Sequence, residues 1–217
     1  MRDRGTDMIG PPPWATGRPS PPLELWHAST DHPVIVVVPE RRFLAIGGAG
    51  HPGALEFSVA TSMLRNAADR VRTGTRRARF GSPRPVVEVI WSIPTNATID
   101  EIVESFTNHR SHRWFQLIEL SVGVDDATAA ASIEEGRRQA GRAEPLVRVM
   151  SLIEGLAVQI LSTGGHGEAQ TIKDLFRFVS ESGFRIRGDL HEVVLVDPDV
   201  VPRERSRSIF RVPIDTA

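Results

Sequence analysis

A change of hydrophobic period, met twice along the chain, constrains the fold more than any other feature. Pro33-Val-Ile-Val-Val-Val-Pro39 is β-branched, too short for a helix and bracketed by prolines, so it reads as a strand. Arg42-Phe-Leu-Ala-Ile-Gly47 reads as a second strand, closed by a loop over Gly48-Ala-Gly50-His-Pro-Gly53. From Ala54 the period changes. Phe57, Ala60, Leu64, Ala67, Ala68 and Val71 recur at three- and four-residue steps, which predicts a helix with one buried face, ended by Gly74. Val86 to Trp91 is a strand again. The same grammar returns later. Leu146–Leu152 and Leu156–Leu161 read as strands, followed by a loop at Ser162–Glu168. A helix from about Thr171 to Ser182 then places Ile172, Leu175, Phe176 and Val179 on one face, with Gly183 as its stop. His191–Val196 and Ser208–Val212 are closing strands. Strand, loop, helix and strand thus recur at Val36–Trp91 and Val158–Val196, and internal duplication in an α+β fold is the economical reading. Two such modules side by side would enclose a ligand cleft.

Between the repeats, Ile99–Phe106 reads as a short helix and Trp114–Leu120 as a strand with mixed faces. Asp125 is placed to cap a helix running to Gln139. Residues 1–30 are different in kind. They hold six of the sixteen prolines and show neither period, so they read as a Pro-rich, largely disordered N-terminal extension, with Trp14 and Trp26 able to dock on the body. Residues 31–217 then form the folded domain.

Composition removes several function classes. With no cysteine, thiolate metal sites, disulfides and cysteine nucleophiles are excluded. There is no tyrosine, and Lys173 is the one lysine among 26 basic residues, so Schiff-base chemistry has a single candidate. That skew toward arginine is easily explained by a GC-rich genome. A net charge of −1 carries no footprint for nucleic acid, and no helix-turn-helix pattern accompanies the body. No apolar run approaches the roughly 20 residues of a membrane span, and the N-terminus lacks a secretory apolar core. The expectation is a cytoplasmic protein without direct nucleic-acid or membrane binding.

Several residues carry possible chemistry. Glu192 lies in a strand beside Val194 and Val196, and is either an edge carboxylate facing water or a buried one suited to acid–base work or to a cationic ligand. Glu88 lies in the corresponding strand of the first half, so the two could face one another across the cleft. In a regular strand Trp91 points away from Glu88, and a bulge would be needed to bring both into one pocket. Trp114 and Phe115 alternate likewise; strand aromatics are usually core, though they also suit stacking on flat ligands. His109 and His112 share a spacing of three, but no third ligand follows, so no metal site is expected. Gly47-Gly-Ala-Gly50 lacks a full phosphate-binding fingerprint, the Arg70–Arg79 run reads as a solvated loop, and no Gly-x-Ser-x-Gly is present.

The stretches Val36–Gly50, Glu154–Leu161, Thr171-Ile172, His191–Pro198 and Ser208–Pro213 resemble the GyrI-like small-molecule-binding proteins, over about residues 33–213. The resemblance implies duplicated β-α-β-β modules with a ligand cleft between the two repeats. It also implies ligands that are flat, aromatic or cationic. A stand-alone subfamily, similar to this chain in lacking a DNA-binding domain, includes cyclopropanoid cyclopropyl hydrolases, which open the strained ring of DNA-alkylating antibiotics. On this likeness Trp91, Trp114, Phe115, Phe106, Phe57 and His191 are expected to surround the ligand. Glu192 is expected to orient or deprotonate water, with Glu88 second and His166 a proton donor. No metal or organic cofactor is implied, and a monomer is expected. The alternative is a binder that sequesters a drug, or a gyrase-inhibitor-like interaction protein. The chain departs from the family pattern at Val194 and His166, where tyrosines are usual, and at Ser92, where a second tryptophan would stand.

Overall fold

The β-branched runs and the helical periods become nine strands and four helices among the described residues. In chain order these are β1 (Val34–Val38), β2 (Arg41–Gly50), α1 (Leu55–Gly74), β3 (Glu88–Trp91), α2 (Ile99–Thr107), β4 (His112–Glu119), α3 (Asp126–Ala140), β5 (Arg148–Leu152), β6 (Gly155–Thr163), α4 (Glu168–Glu181), β7 (Phe184–Ile186), β8 (Leu190–Val196) and β9 (Arg207–Thr216). The structure is a computed structural model and describes residues 28–74, 85–94, 97–107, 112–121, 123–140, 147–164, 167–196, 201–202 and 205–216. The N-terminal extension up to residue 27 and His166 lie outside these residues. The chain divides into two units.

One unit comprises residues 40–92 and 109–153. Its strands pair antiparallel in the order β5-β2-β4-β3. Helices α1 and α3 pack together, α1 against β2 and β4 and α3 against β5. Ala60, Leu64, Ala67 and Val71 of α1 are buried, as their spacing requires, and meet a core that includes Leu44, Ile46 and Ile118. Each large side chain so buried contributes roughly 1.5–3 kcal/mol.

The other unit comprises residues 1–39, 93–108 and 154–217. Its ladder runs β1-β6-β9-β8, again antiparallel, and β7 pairs with the end of β9. Helix α4 buries Thr171, Ile172, Leu175, Phe176 and Val179, and packs on β6 and β9. Gly183 after it has φ 73°, a left-handed turn that glycine adopts without a Cβ clash. Helix α2 packs against α4, tied by Lys173 Nζ donating to Asp100 at 2.8 Å. Each unit contains one strand that precedes the other unit's first long strand in sequence: β1 pairs with β6, and β5 with β2.

Three expectations change. Strand β2 runs on through Gly50, where a loop from Gly48 was expected. Its glycines remain in the ladder because they leave room for rings: a Cβ on Gly47 would lie 2.8 Å from Phe115 Cε1, and one on Gly48 only 2.3 Å from Trp114 Cη2. Strand β7 is new, since three residues are too few to show a period. Strand β9 continues past Val212 to Thr216, carrying Pro213 opposite Ala157. None of the described helices is long and apolar enough to cross a membrane.

Local capping follows the sequence closely. Thr98 Oγ1 accepts from the Glu101 N–H at 3.3 Å, while Glu101 Oε2 accepts from the Thr98 N–H at 2.7 Å, a reciprocal capping box at the start of α2. Asp125 Oδ1 accepts from the Thr128 N–H at 2.7 Å, so the expected cap of α3 is present. Hydrogen bonds from the Thr98 N–H and then its hydroxyl hold the Glu101 carboxyl below its ordinary range, and Thr128 does the same for Asp125. A lowered folded pKa stabilises above the unfolded value and loses that contribution as pH falls through the folded one. Helix α2 and helix α3 should therefore fray on the acid side of about pH 4, which amide exchange of their first turns will read. Thr98→Ala is expected to cost about 1 kcal/mol in urea titration.

Candidate functional site

Strand alternation sorts the candidate residues by face. In the unit of residues 40–92 and 109–153, Phe57 of α1 stacks on Trp91, with ring centroids 5.5 Å apart and planes at 4°. It also meets Trp114 edge-on at 5.1 Å, and His112 lies edge-on to Trp91 at 6.0 Å. Trp91 and Trp114 are direct partners in the β3–β4 ladder, so both face α1. Gln116 shares that face and fastens the helix: its Nε2 donates to the Phe57 carbonyl at 2.9 Å, and its Oε1 accepts from Thr61 Oγ1 at 2.8 Å. With Trp91 3% and Trp114 2% exposed, this aromatic group is part of the core.

Glu88 and Phe115 point to the opposite face, which is helix-free among the described residues, since the β3–β4 pairing is regular over all four residues. There Phe43, Ala45 and Leu117 are buried, and Ile90, Phe115, Met150 and Leu152 pack around them. Glu88 sits at the margin of this apolar field, 1% exposed. Arg41 grips it with two hydrogen bonds, Nη1 to Oε2 at 2.8 Å and Nη2 to Oε1 at 2.5 Å, and Nη2 also donates to Glu119 Oε2 at 2.8 Å. Burial alone would pull the guanidinium pKa down, but Glu88 and Glu119 more than offset it and raise the pKa, so Arg41 stays charged. The Arg41 guanidinium lies 4.8 Å from the Phe43 ring centroid, and that of Arg148 lies 5.3 Å from Phe115.

The other unit holds a second buried charged group, on the row Gln159–Arg211–His191 across β6, β9 and β8. Glu154, just before β6, joins two of its members. Its Oε1 is 3.0 Å from His191 Nδ1, and its Oε2 accepts from Arg211 Nη1 at 3.1 Å. Arg211 also donates from Nε at 3.0 Å and Nη2 at 2.9 Å to Gln159 Oε1, and Arg187 donates to the Glu154 carbonyl. All four side chains are at most 2% exposed.

Glu192 lies on the other face. It pairs with Phe210, which pairs with Ile160, and two residues along β6 Ser162 meets Thr171 of α4 at 3.4 Å. Glu192 therefore faces the α4 side, where its Oε1 accepts from Ser208 Oγ at 2.8 Å. The expected equivalence of Glu88 and Glu192 is corrected by this register. The helix-free position that Glu88 fills on β3 is filled on β8 by His191, one residue earlier.

Of the expected site residues, the structure brings together Phe57, Trp91 and Trp114, sets Phe115 with Glu88 on the other face of the same strands, and places Phe106, half-buried on α2, with His191 and Glu192 in the other unit. Sequence reasoning missed Arg41, Glu119, Glu154, Gln159 and Arg211. The available signal was a long polar residue inside an apolar run, as in Ala157-Val-Gln159-Ile and Ile209-Phe-Arg211-Val. Among the described residues, no three of His, Asp or Glu are grouped to hold a metal ion.

No family model matches the chain, and no curated protein matches it in sequence. Solved structures do share its fold. An uncharacterized conserved protein from Listeria innocua has a TM-score of 0.71 at 21% identity, over 88% of this chain and 96% of its own. A hydrolase from Listeria innocua has a TM-score of 0.68 at 21% identity, over 88% and 96%. The EcmrR C-terminal domain is more distant, with a TM-score of 0.53 at 8% identity, over 86% and 98%. At these identities the likeness is one of fold: the chain is an antiparallel α+β protein of the architecture found in these structures, over nearly their whole length.

Proposed function

We propose that the chain is a small-molecule-binding hydrolase of the GyrI-like kind, built from duplicated β-α-β-β modules. The observation that carries this reading is the helix-free face of β2, β3, β4 and β5, where the partly buried Ile90, Phe115, Met150 and Leu152 surround a buried core of Phe43, Ala45 and Leu117 beside the Glu88–Arg41–Glu119 group. A flat apolar molecule with cationic or electron-poor character suits such a face. The resemblance in sequence and the Listeria hydrolase of like fold support hydrolysis.

The substrate we favour is a spirocyclopropyl, DNA-alkylating natural product. Water oxygen bonds to the ring CH₂, the bond from that carbon to the spiro carbon breaks, and its electron pair enters the conjugated dienone. The dienone becomes a phenolate, which takes the proton that water has lost. Aromatisation drives the step, so orientation of water is the protein's main task. Glu88 is the carboxylate that adjoins this face, whereas Glu192 faces α4 in the other unit, so orienting water falls to Glu88.

Incubating such a compound with about a hundredth of an equivalent of protein will test catalysis by mass spectrometry. Gain of one water by most of the compound is the expected result, and Glu88→Gln should lower turnover by about 10²–10⁴-fold, the usual range for a lost acid–base group, while Glu192→Gln leaves it unchanged. The tied-up Glu88 favours one second reading, a binder that sequesters its ligand. Intact compound with saturable quenching of tryptophan fluorescence would establish that reading instead.

A further inference from the structure

Strand β1 is the outer strand of its ladder, and among the described residues β6 is its one strand partner. Its five residues, Val34-Ile-Val-Val-Val38, carry no charge. Val36 and Val38 are buried, but Ile35 is 47% and Val37 65% exposed. These two share a face, because they pair with Val158 and Leu156 on β6. The outer strand of the other unit, β5, is different: it exposes Arg148 and Ser151. A bare apolar edge offers unpaired N–H and C=O groups to another strand, and charges or prolines normally blunt it. Here Pro33 and Pro39 stand just outside the strand and leave the five residues between them open.

We infer that β1 is a self-association strand, along which two copies of this chain pair antiparallel about a two-fold axis at Val36. In that register Val34 lies opposite Val38, Ile35 opposite Val37, and Pro33 opposite Pro39. The ladder therefore ends on both sides where proline has no N–H to give. Ile35 and Val37 of the two copies form one patch of four β-branched side chains, the kind of cross-strand contact that stabilises sheets. A second copy is the occupant that supplies this match without further assumption, and two-fold pairing of one patch with itself is the commonest route to an oligomer. The chain's own lead-in is a poor ladder strand, since six of its residues are prolines. A contact of five residues per chain is small, so the dimer is weak, with a dissociation constant on the order of 10 μM.

Sedimentation velocity of the full chain up to about 100 μM is the test, and a concentration-dependent dimer is expected. Val37→Lys, at an exposed position that the fold tolerates, should raise the dissociation constant at least tenfold, while Ser151→Lys on β5 leaves it unchanged. The chain has no cysteine, so Val36→Cys supplies a clean register probe. Mild oxidation should give a disulfide-linked dimer, because Val36 meets its own copy at the axis. A monomer throughout the range overturns the proposal. So does a dimer that Val37→Lys leaves intact.

Discussion

Replacing Glu154 with alanine should destabilise the protein by about 3–5 kcal/mol, the usual consequence of removing one partner from a buried ion pair. The carboxylate lies within 3.1 Å of both His191 Nδ1 and Arg211 Nη1, and all three side chains are 2% exposed. Alanine leaves the Arg211 charge in the interior without this carboxylate. Glu154→Gln keeps the shape and one acceptor and should cost less. The exposed pair Arg138–Glu135 supplies the contrast, because solvent screens it, and Glu135→Ala should leave the denaturation midpoint nearly unchanged. Urea titration of the three variants will order them. Equal midpoints for the Glu154 and Glu135 alanine variants would mean that the cluster is wet.

Strands and helices were legible where the pattern was purely local. The proline-bracketed run at residues 34–38, the three–four repeat through α1, and the Asp125 cap needed no knowledge of partners. What escaped depends on pairing. Gly47 and Gly48 read as a turn because glycine usually breaks a strand, yet Phe115 and Trp114 opposite them need that empty volume. A carboxylate's face cannot be assigned until its register is known, which is why Glu88 and Glu192 looked equivalent and are not. The charged clusters are assembled from residues 47 and 57 positions apart, Arg41 with Glu88 and Glu154 with Arg211, and one chain carries no signal of such a match. The run at residues 34–38 shows the same limit from the other side. Its composition marks a strand, but only its place in the ladder shows that Ile35 and Val37 are exposed.

Gly48→Val tests the fit between β2 and β4 most severely. Even the Cβ would stand 2.3 Å from Trp114 Cη2 and 2.4 Å from its Cζ2, distances that real side chains do not tolerate. The ring has nowhere to go. It is 2% exposed, meets Phe57 edge-on and is paired with Trp91. Overpacking of a tight core costs about 1–3 kcal/mol, and displacing the indole forfeits aromatic contacts worth roughly 0.5–1.5 kcal/mol more. The variant should therefore melt well below the parent, with tryptophan fluorescence shifted to the red. Adding Trp114→Leu to Gly48→Ala should recover stability relative to the sum of the single changes, by roughly 0.5–3 kcal/mol of coupling. Gly47→Ala separates packing from function on the same strand. Its Cβ meets the Phe115 ring first, at 2.8 Å, and that ring is half-buried on the helix-free face and can swing outward. Stability should change little, while the apolar field beside Glu88 changes shape. Gly47→Ala should thus weaken ligand binding at nearly unchanged melting temperature, whereas Gly48→Val lowers both. If the two glycine variants instead lose stability equally, Phe115 is as tightly held as Trp114 and the helix-free face is core rather than a binding surface.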